Sequence, residues 1–247
     1  MTTDIAINTA DPVKARMEPS KKQPSNVGIV IAHDLFGIDK DIEDRIEHWS
    51  AMGYMVVVPD LFSLGQETAP LGPGDVDAPE TIKAAADTFN VEQGLKDIAG
   101  AIAFARQQGC HGVGVLGFGL GGLLAALAAA KTDCDAAIGY SPIGVEKHPD
   151  GISIGAKTET PLSLYYAGED ALVGEGVRDE IALAFAGQQN ARVFTHPHVR
   201  RHFYRWDSRE RDRCALTLAE HRAGEFFYMN LTLKHWQTRP APLAASA

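Results

Sequence analysis

The sequence predicts an α/β fold in which helices cover both faces of a mostly parallel central sheet. Short, β-branched apolar runs recur along the chain, and segments with helical spacing of apolar residues separate them. Strands buried on both faces have such continuous apolar runs. Strand–helix alternation of this kind is typical of parallel sheets, because each crossover helix packs back onto the sheet.

Six segments have the apolar character of buried strands. In chain order they are residues 27–32, 54–59, 112–117, 135–140, 162–167 and 191–195. The first reads Val-Gly-Ile-Val-Ile-Ala and is apolar throughout. Residues 63–79 are rich in Gly, Pro and Asp, which predicts a long surface loop after the second strand.

Five segments carry apolar residues at helical spacing. They are residues 41–52, 91–107, 120–131, 179–186 and 211–230. Gly53 directly follows the first of them, where glycine commonly caps the end of a helix. The third is rich in small residues and follows its strand without an intervening loop.

Composition places the chain among ordinary globular proteins. Its 247 residues suit one domain, predicted over residues 1–236, with 237–247 as a disordered tail. A net charge of −9 disfavours nucleic-acid and anionic-membrane partners. There is no signal-like start or membrane-length apolar run, and the three cysteines are widely spaced. We therefore expect a cytoplasmic monomer or small homo-oligomer that binds a small molecule, with no metal and no cofactor.

The residues that follow the strands are the candidates for chemistry, because functional groups gather at the carboxyl ends of parallel strands. Residues 117–122 read Gly-Phe-Gly-Leu-Gly-Gly between a strand and a helix, which is the pattern of a nucleophile elbow. Asp170 follows the fifth strand and His202 follows the sixth. The order elbow, acid, base is that of α/β-hydrolases.

Five segments resemble the dienelactone hydrolase family of α/β-hydrolases. They are residues 33–37, 58–62, 117–122, 167–170 and the loop at His202, and the resemblance runs roughly from residue 4 to residue 231. It implies the α/β-hydrolase fold. It also implies carboxymethylenebutenolidase-like activity on a small ester, lactone or related carbonyl compound.

The resemblance also implies roles for individual residues. Asp170 would orient His202, which would act as the base. Asp34 stands where the family has a glutamate that interacts with the resting thiol. Arg205 lies one residue from the place of an arginine that binds a substrate carboxylate.

Two departures from the family pattern bear on the chemistry. Gly119 stands where the family has its nucleophilic cysteine, so no acyl-enzyme can form there. Residues 63–82 contain no Lys or Arg, although the family has a second substrate-binding arginine in this region. The backbone N–H groups of Leu35 and Leu120 can still hold an oxyanion, because they need no side chain at position 119.

Several hypotheses therefore stay open. His202 could activate water for hydrolysis, or it could abstract a proton next to a carbonyl in a lyase or isomerase. Alternatively, the protein is a non-catalytic binder that kept the fold. Asp34 could be a base, a nucleophile, or an acid that favours a helix N-terminus. Further candidates for substrate binding are Phe36, Phe118, Tyr140, Ser141, Arg200, Arg201 and Arg205.

Overall fold

A computed structural model describes residues 2–7, 12–22, 26–64, 66–67, 69–75 and 78–234. The proposed tail at 237–247 lies outside these residues. The strands are β1 Thr3–Ile7, β2 Val13–Glu18, β3 Val27–Ala32, β4 Met55–Pro59, β5 Gly112–Phe118, β6 Ala136–Tyr140, β7 Leu162–Glu169 and β8 Ala191–Arg200. They form one sheet in the order β1-β2-β4-β3-β5-β6-β7-β8.

All six predicted strands are present, as β3 to β8, and they pair in parallel. The sequence analysis missed β1 and β2, which pair with each other and with β4 in antiparallel fashion. These edge strands are only half buried and carry charged residues, so no continuous apolar run marks them. β8 is longer than predicted and takes in the first part of the His-rich segment.

Seven α-helices lie within the described residues. They are α1 Lys40–Met52, α2 Pro79–Thr88, α3 Val91–Gln107, α4 Leu120–Lys131, α5 Ile154–Lys157, α6 Glu175–Phe185 and α7 Arg213–Phe227. The short α2 and α5 were missed. The predicted closing helix is present as α7, which ends at Phe227, and a π-helical turn over Tyr228–Leu233 continues it. Among the described helices, none combines the length and apolarity that crossing a membrane requires.

Two apolar layers enclose the sheet. On one face α3 and α4 pack with residues such as Ile98 and Leu124. On the other face α1 and α7 supply Ile46, Trp49 and Phe227. Helices on both faces leave the carboxyl ends of the parallel strands as the accessible edge, where the candidate residues lie.

The junction of β5 and α4 requires glycine. A Cβ atom on Gly117 would lie 1.9 Å from the carbonyl oxygen of Gly121, and one on Gly121 would lie 2.0 Å from the carbonyl oxygen of Ala32. No side chain fits at either position. The sharp turn predicted from the glycine pattern is therefore present, and it brings the N-terminus of α4 against the end of β3.

Candidate active site

The elbow residue itself has the backbone geometry of a sharp strand-to-helix turn. Gly119 links β5 to α4 with φ of 53° and ψ of −113°, a positive-φ conformation that side chains disfavour. The N–H of Leu120 is the first of α4 and lacks a partner within the helix. This N–H was one of the two donors predicted to form an oxyanion hole.

The carboxylate of Asp34 occupies this hole. Its Oδ1 accepts hydrogen bonds from the N–H of Leu35 at 2.8 Å and from the N–H of Leu120 at 3.0 Å. The hydroxyl of Tyr204 lies 3.3 Å from Oδ2 and donates to it. The structure thus brings the two predicted donors together, and the group that they hold is a side chain of the protein itself.

The same carboxylate fills the space that a side chain at position 119 would occupy. A Cβ atom built on Gly119 would lie 2.0 Å from Oδ2 and 2.1 Å from Cγ of Asp34. These separations are far below van der Waals contact, so a side chain at position 119 and this position of Asp34 exclude each other. Asp34 reaches this space from the loop that follows β3.

The His33 side chain makes hydrogen bonds with backbone groups of Asp34 and Leu61. Among the described residues it makes none with the Asp34 carboxylate. Its Nδ1 lies 2.8 Å from the carbonyl oxygen of Asp34, and its Nε2 accepts from the N–H of Leu61 at 3.1 Å. This pattern requires the neutral imidazole that carries its proton on Nδ1. Burial lowers the pKa of His33 below its ordinary value of 6.5.

We expect His33 to make the protein less stable in mild acid. Because its pKa is lower in the folded state, the unfolded chain takes up the proton first as the pH falls below 6.5. The free energy of unfolding then decreases until the pH reaches the folded-state pKa. Urea unfolding of the parent and of His33→Gln at about pH 7.5 and about pH 5.5 measures this. The parent should lose more stability than the variant over this interval, and equal losses would contradict the prediction.

Asp170 does not form the expected contact with His202. Its Oδ1 accepts from the N–H groups of Leu172 and Val173, at 2.9 and 3.2 Å, and its Oδ2 lies 2.8 Å from Nη1 of Arg201. Arg201 is itself buried, so its charge needs a counter-ion, and the adjacent carboxylate provides it. The structure therefore places Asp170 in a buried ion pair.

Glu210 takes the position beside His202 that was expected for Asp170. Its Oε2 lies 3.3 Å from Nδ1 of His202 and accepts from the backbone N–H of His202 at 3.1 Å. The contact with the His202 side chain lowers the pKa of Glu210. The sequence analysis missed this partner, because no pattern around residue 210 distinguishes it from other acids in the same turn-rich segment.

Both ring nitrogens of His202, Nδ1 and Nε2, are buried and have no hydrogen-bond partner among the described residues, because the 3.3 Å approach of Glu210 to Nδ1 lacks hydrogen-bond geometry. Buried polar atoms are nearly always paired, so such an atom indicates a place for water or a ligand. His202 and Glu210 line a cleft of about 700 Å³, within the usual range for small-molecule sites. Arg200, Arg209 and Arg211 line the same cleft.

Arg205, the predicted carboxylate binder, is already paired. Its guanidinium donates to Asp39 at 2.6 Å and to Asp207 at 2.9 Å, and it lies 5.1 Å from the centre of the Phe36 ring. These carboxylates raise the pKa of Arg205. Two carboxylates on one guanidinium leave little charge for a substrate, so the exposed arginines of the cleft are better placed to bind an anion.

The remaining candidates for substrate binding differ in position. The edge of the Phe36 ring faces His202, with centroids 6.0 Å apart. Phe118 is buried beneath the guanidinium of Arg45, which is 4.3 Å from the ring centre. Phe118 therefore packs in the protein core, because its side chain points to the face of the sheet that α1 and α7 cover.

Tyr140 and Ser141 also make structural contacts. The Tyr140 hydroxyl donates to the carbonyl oxygen of Ala219 at 3.1 Å, and its ring stacks on that of Phe118. The Ser141 hydroxyl donates to the carbonyl oxygen of Arg201 at 3.0 Å. Both residues are buried, so they join the loops around the site and do not line the cleft.

The sheet order, the elbow after β5 and the histidine after β8 are those of the α/β-hydrolase fold. The chain belongs to the dienelactone hydrolase family, whose model matches residues 13–231. Carboxymethylenebutenolidase from Pseudomonas putida is 30% identical over 207 residues, 83% of this chain and 86% of that protein. Carboxymethylenebutenolidase 1 from Cupriavidus pinatubonensis is 30% identical over 203 residues, 81% of this chain and 85% of that protein. A Klebsiella pneumoniae protein named as a dienelactone hydrolase superposes with a TM-score of 0.79 at 19% identity, covering 92% of this chain and 98% of its own.

Proposed function

We propose that this protein hydrolyses a small, anionic ester or lactone, with water activated directly by His202 and no acyl-enzyme at the elbow. The observation that carries the proposal is the unpartnered Nε2 of His202, next to Glu210, in a cleft lined by arginines. The relatives' name supports the substrate class, since a butenolide is a lactone and a carboxymethylene group carries an anion at neutral pH.

In this reaction a water molecule between Nε2 and the substrate carbonyl gives its proton to His202. Glu210 stabilises the resulting imidazolium through Nδ1. The developing oxyanion binds the N–H groups of Leu35 and Leu120, so the carbonyl oxygen has to displace Asp34 from them. His202 then returns the proton to the leaving alkoxide.

Two exposed arginines support an anionic substrate, although Glu169, Glu210 and Asp212 line the same cleft. Arg200 and Arg209 are exposed, and in the described part of the chain neither guanidinium makes a hydrogen bond or an ion pair. Guanidinium groups pair well with carboxylates, because two N–H donors match two oxygens. A carboxylate held by these arginines would place the rest of a small substrate beside His202.

The test is hydrolysis of a panel of small esters and lactones, with and without a carboxylate. We expect His202→Ala to lower kcat/KM about 100- to 10,000-fold, the usual contribution of a general base. His198→Asn is the matched control, because His198 lines the same cleft and asparagine tolerates its φ of 59°. Equal rates in the parent and His202→Ala would rule out the proposed base, and an inactive parent would rule out hydrolysis of these classes.

The occupied oxyanion hole favours a second candidate function, a non-catalytic binder of small anions. In that case short carboxylates raise the Tm by mass action, but none of them is turned over. The parent then hydrolyses no compound of the panel, while Arg200→Ala or Arg209→Ala reduces the rise in Tm that the carboxylates cause.

The cytoplasmic location and the absence of nucleic-acid partners stay predictions.

A further inference from the structure

The Asp34 carboxylate stands in an unusual relation to the oxyanion hole. One oxygen, Oδ1, takes the N–H groups of both Leu35 and Leu120, and the carboxyl carbon lies where a nucleophile on the elbow would begin. Among the described residues, Oδ2 makes one hydrogen bond, the 3.3 Å contact with the Tyr204 hydroxyl. The Asp34 carboxylate beside the elbow therefore has one oxygen held by two backbone N–H groups and one oxygen held by a single longer hydrogen bond.

Tyr204 and Phe36 both lie beside the His202 ring, and Tyr204 also contacts the Asp34 carboxylate. The Tyr204 hydroxyl contacts Asp34, and its ring centroid lies 6.2 Å from that of His202. Phe36 is two residues from Asp34, and its ring meets the edge of His202. The nucleophile candidate and the base candidate thus share Tyr204 as a neighbour at one end of the sheet.

The carbonyl oxygen of an ester competes with Asp34 for the N–H groups of Leu35 and Leu120, but a substrate that reacts at a saturated carbon does not need them. Displacement at a saturated carbon forms no tetrahedral oxyanion, so it needs only a nucleophile, a leaving group and alignment. Carboxylates serve as such covalent nucleophiles in enzymes. We propose that Asp34 is a covalent nucleophile toward a saturated carbon that carries a halide leaving group next to a carboxylate, an activity distinct from ester hydrolysis.

The first step forms an aspartyl ester. A lone pair of Oδ2 makes the new oxygen–carbon bond, the carbon–halogen bond breaks, and halide leaves with its electron pair. Burial of Asp34 removes most of the water that would otherwise solvate the attacking oxygen. Asp34 does not itself line the cleft, so a substrate whose carboxylate binds Arg200 or Arg209 has to extend past His202 to reach it.

The second step uses the hole as it stands. His202 takes a proton from water, the hydroxide adds to Cγ of Asp34, and negative charge develops on Oδ1. That atom already accepts from Leu35 and Leu120, so the tetrahedral intermediate is stabilised without rearrangement. The intermediate releases the alcohol oxygen, which was Oδ2, and this alkoxide takes the proton from His202. The sum is alkyl halide plus water giving alcohol, halide and a proton.

The experiment offers chloroacetate and α-chloropropionate to the parent in water enriched in heavy oxygen. We expect chloride release and, after a single turnover, heavy oxygen in the peptide that contains Asp34. His202→Ala should stop after the first step and accumulate the alkylated peptide, and Asp34→Asn should lose chloride release. Peptide mapping separates this adduct from alkylation of the exposed Cys214.

The outcomes separate this activity from ester hydrolysis. Asp34→Asn removes the nucleophile and weakens the hold on the two N–H groups, so chloride release should be lost while ester hydrolysis should increase. An absence of chloride release from both probes, or heavy oxygen that enters only the product alcohol, would overturn the proposal. Neither result depends on whether the parent hydrolyses esters.

Discussion

Asp170→Ala is expected to lower the free energy of unfolding by about 3–5 kcal/mol, because it leaves the guanidinium of Arg201 buried without its counter-charge. The side chain of Asp170 is fully buried and that of Arg201 is 6% exposed. The carboxylate also accepts from two backbone N–H groups, which lose their partner in the variant. Urea unfolding of the purified parent and variant measures the difference.

The matched control removes both charges. In Asp170→Leu/Arg201→Met neither charge of this pair remains, and replacing a buried ion pair with apolar side chains is often close to neutral. We therefore expect the double variant to recover most of the lost stability. If Asp170→Ala instead keeps full stability and loses only turnover, Asp170 orients His202 and the ion pair with Arg201 is not the working arrangement.

The core of the fold was predictable because local pattern and burial agree there. A strand such as β3, covered on both faces, must be apolar throughout, and its sequence shows this without any knowledge of the neighbours. β1 and β2 carry charged side chains at the sheet edge, so their pairing depends on contacts that the local sequence does not record. The short helix α2 begins at Pro79, the last residue of the segment whose Gly and Pro content indicates a loop.

The positions of the site were also predictable, but the partners were not. The ends of parallel strands had to bring residues 34, 119, 170 and 202 to one edge of the sheet. Which carboxylate lies beside His202 depends on which acidic side chains pair with its neighbours in the folded structure. Arg201 is adjacent to His202 in sequence and takes Asp170, so the imidazole lies beside Glu210. The reach of Asp34 into the hole depends likewise on the empty space that a glycine leaves.

We expect Gly119→Cys alone to give an unstable and poorly active protein. The new Cβ would lie 2.0 Å from Oδ2 of Asp34, so the carboxylate has to leave both N–H groups. A side chain at a φ of 53° adds strain of about 1–3 kcal/mol. The cost of displacing Asp34 comes on top of that strain.

Adding Asp34→Ala to Gly119→Cys should remove the steric overlap between the two side chains and give an elbow with an accessible thiol. In Gly119→Cys/Asp34→Ala the thiol occupies the vacated place, and the N–H groups of Leu35 and Leu120 are free for a substrate oxyanion. We expect the two substitutions to be coupled in unfolding free energy by about 0.5–3 kcal/mol in the stabilising direction, as is usual for residues in contact. The double variant should also show a burst of acyl-enzyme with activated esters, which the parent and both single variants lack. Additive stabilities, or a burst of equal size in Gly119→Cys alone, would mean that Asp34 does not occupy the nucleophile's place in solution.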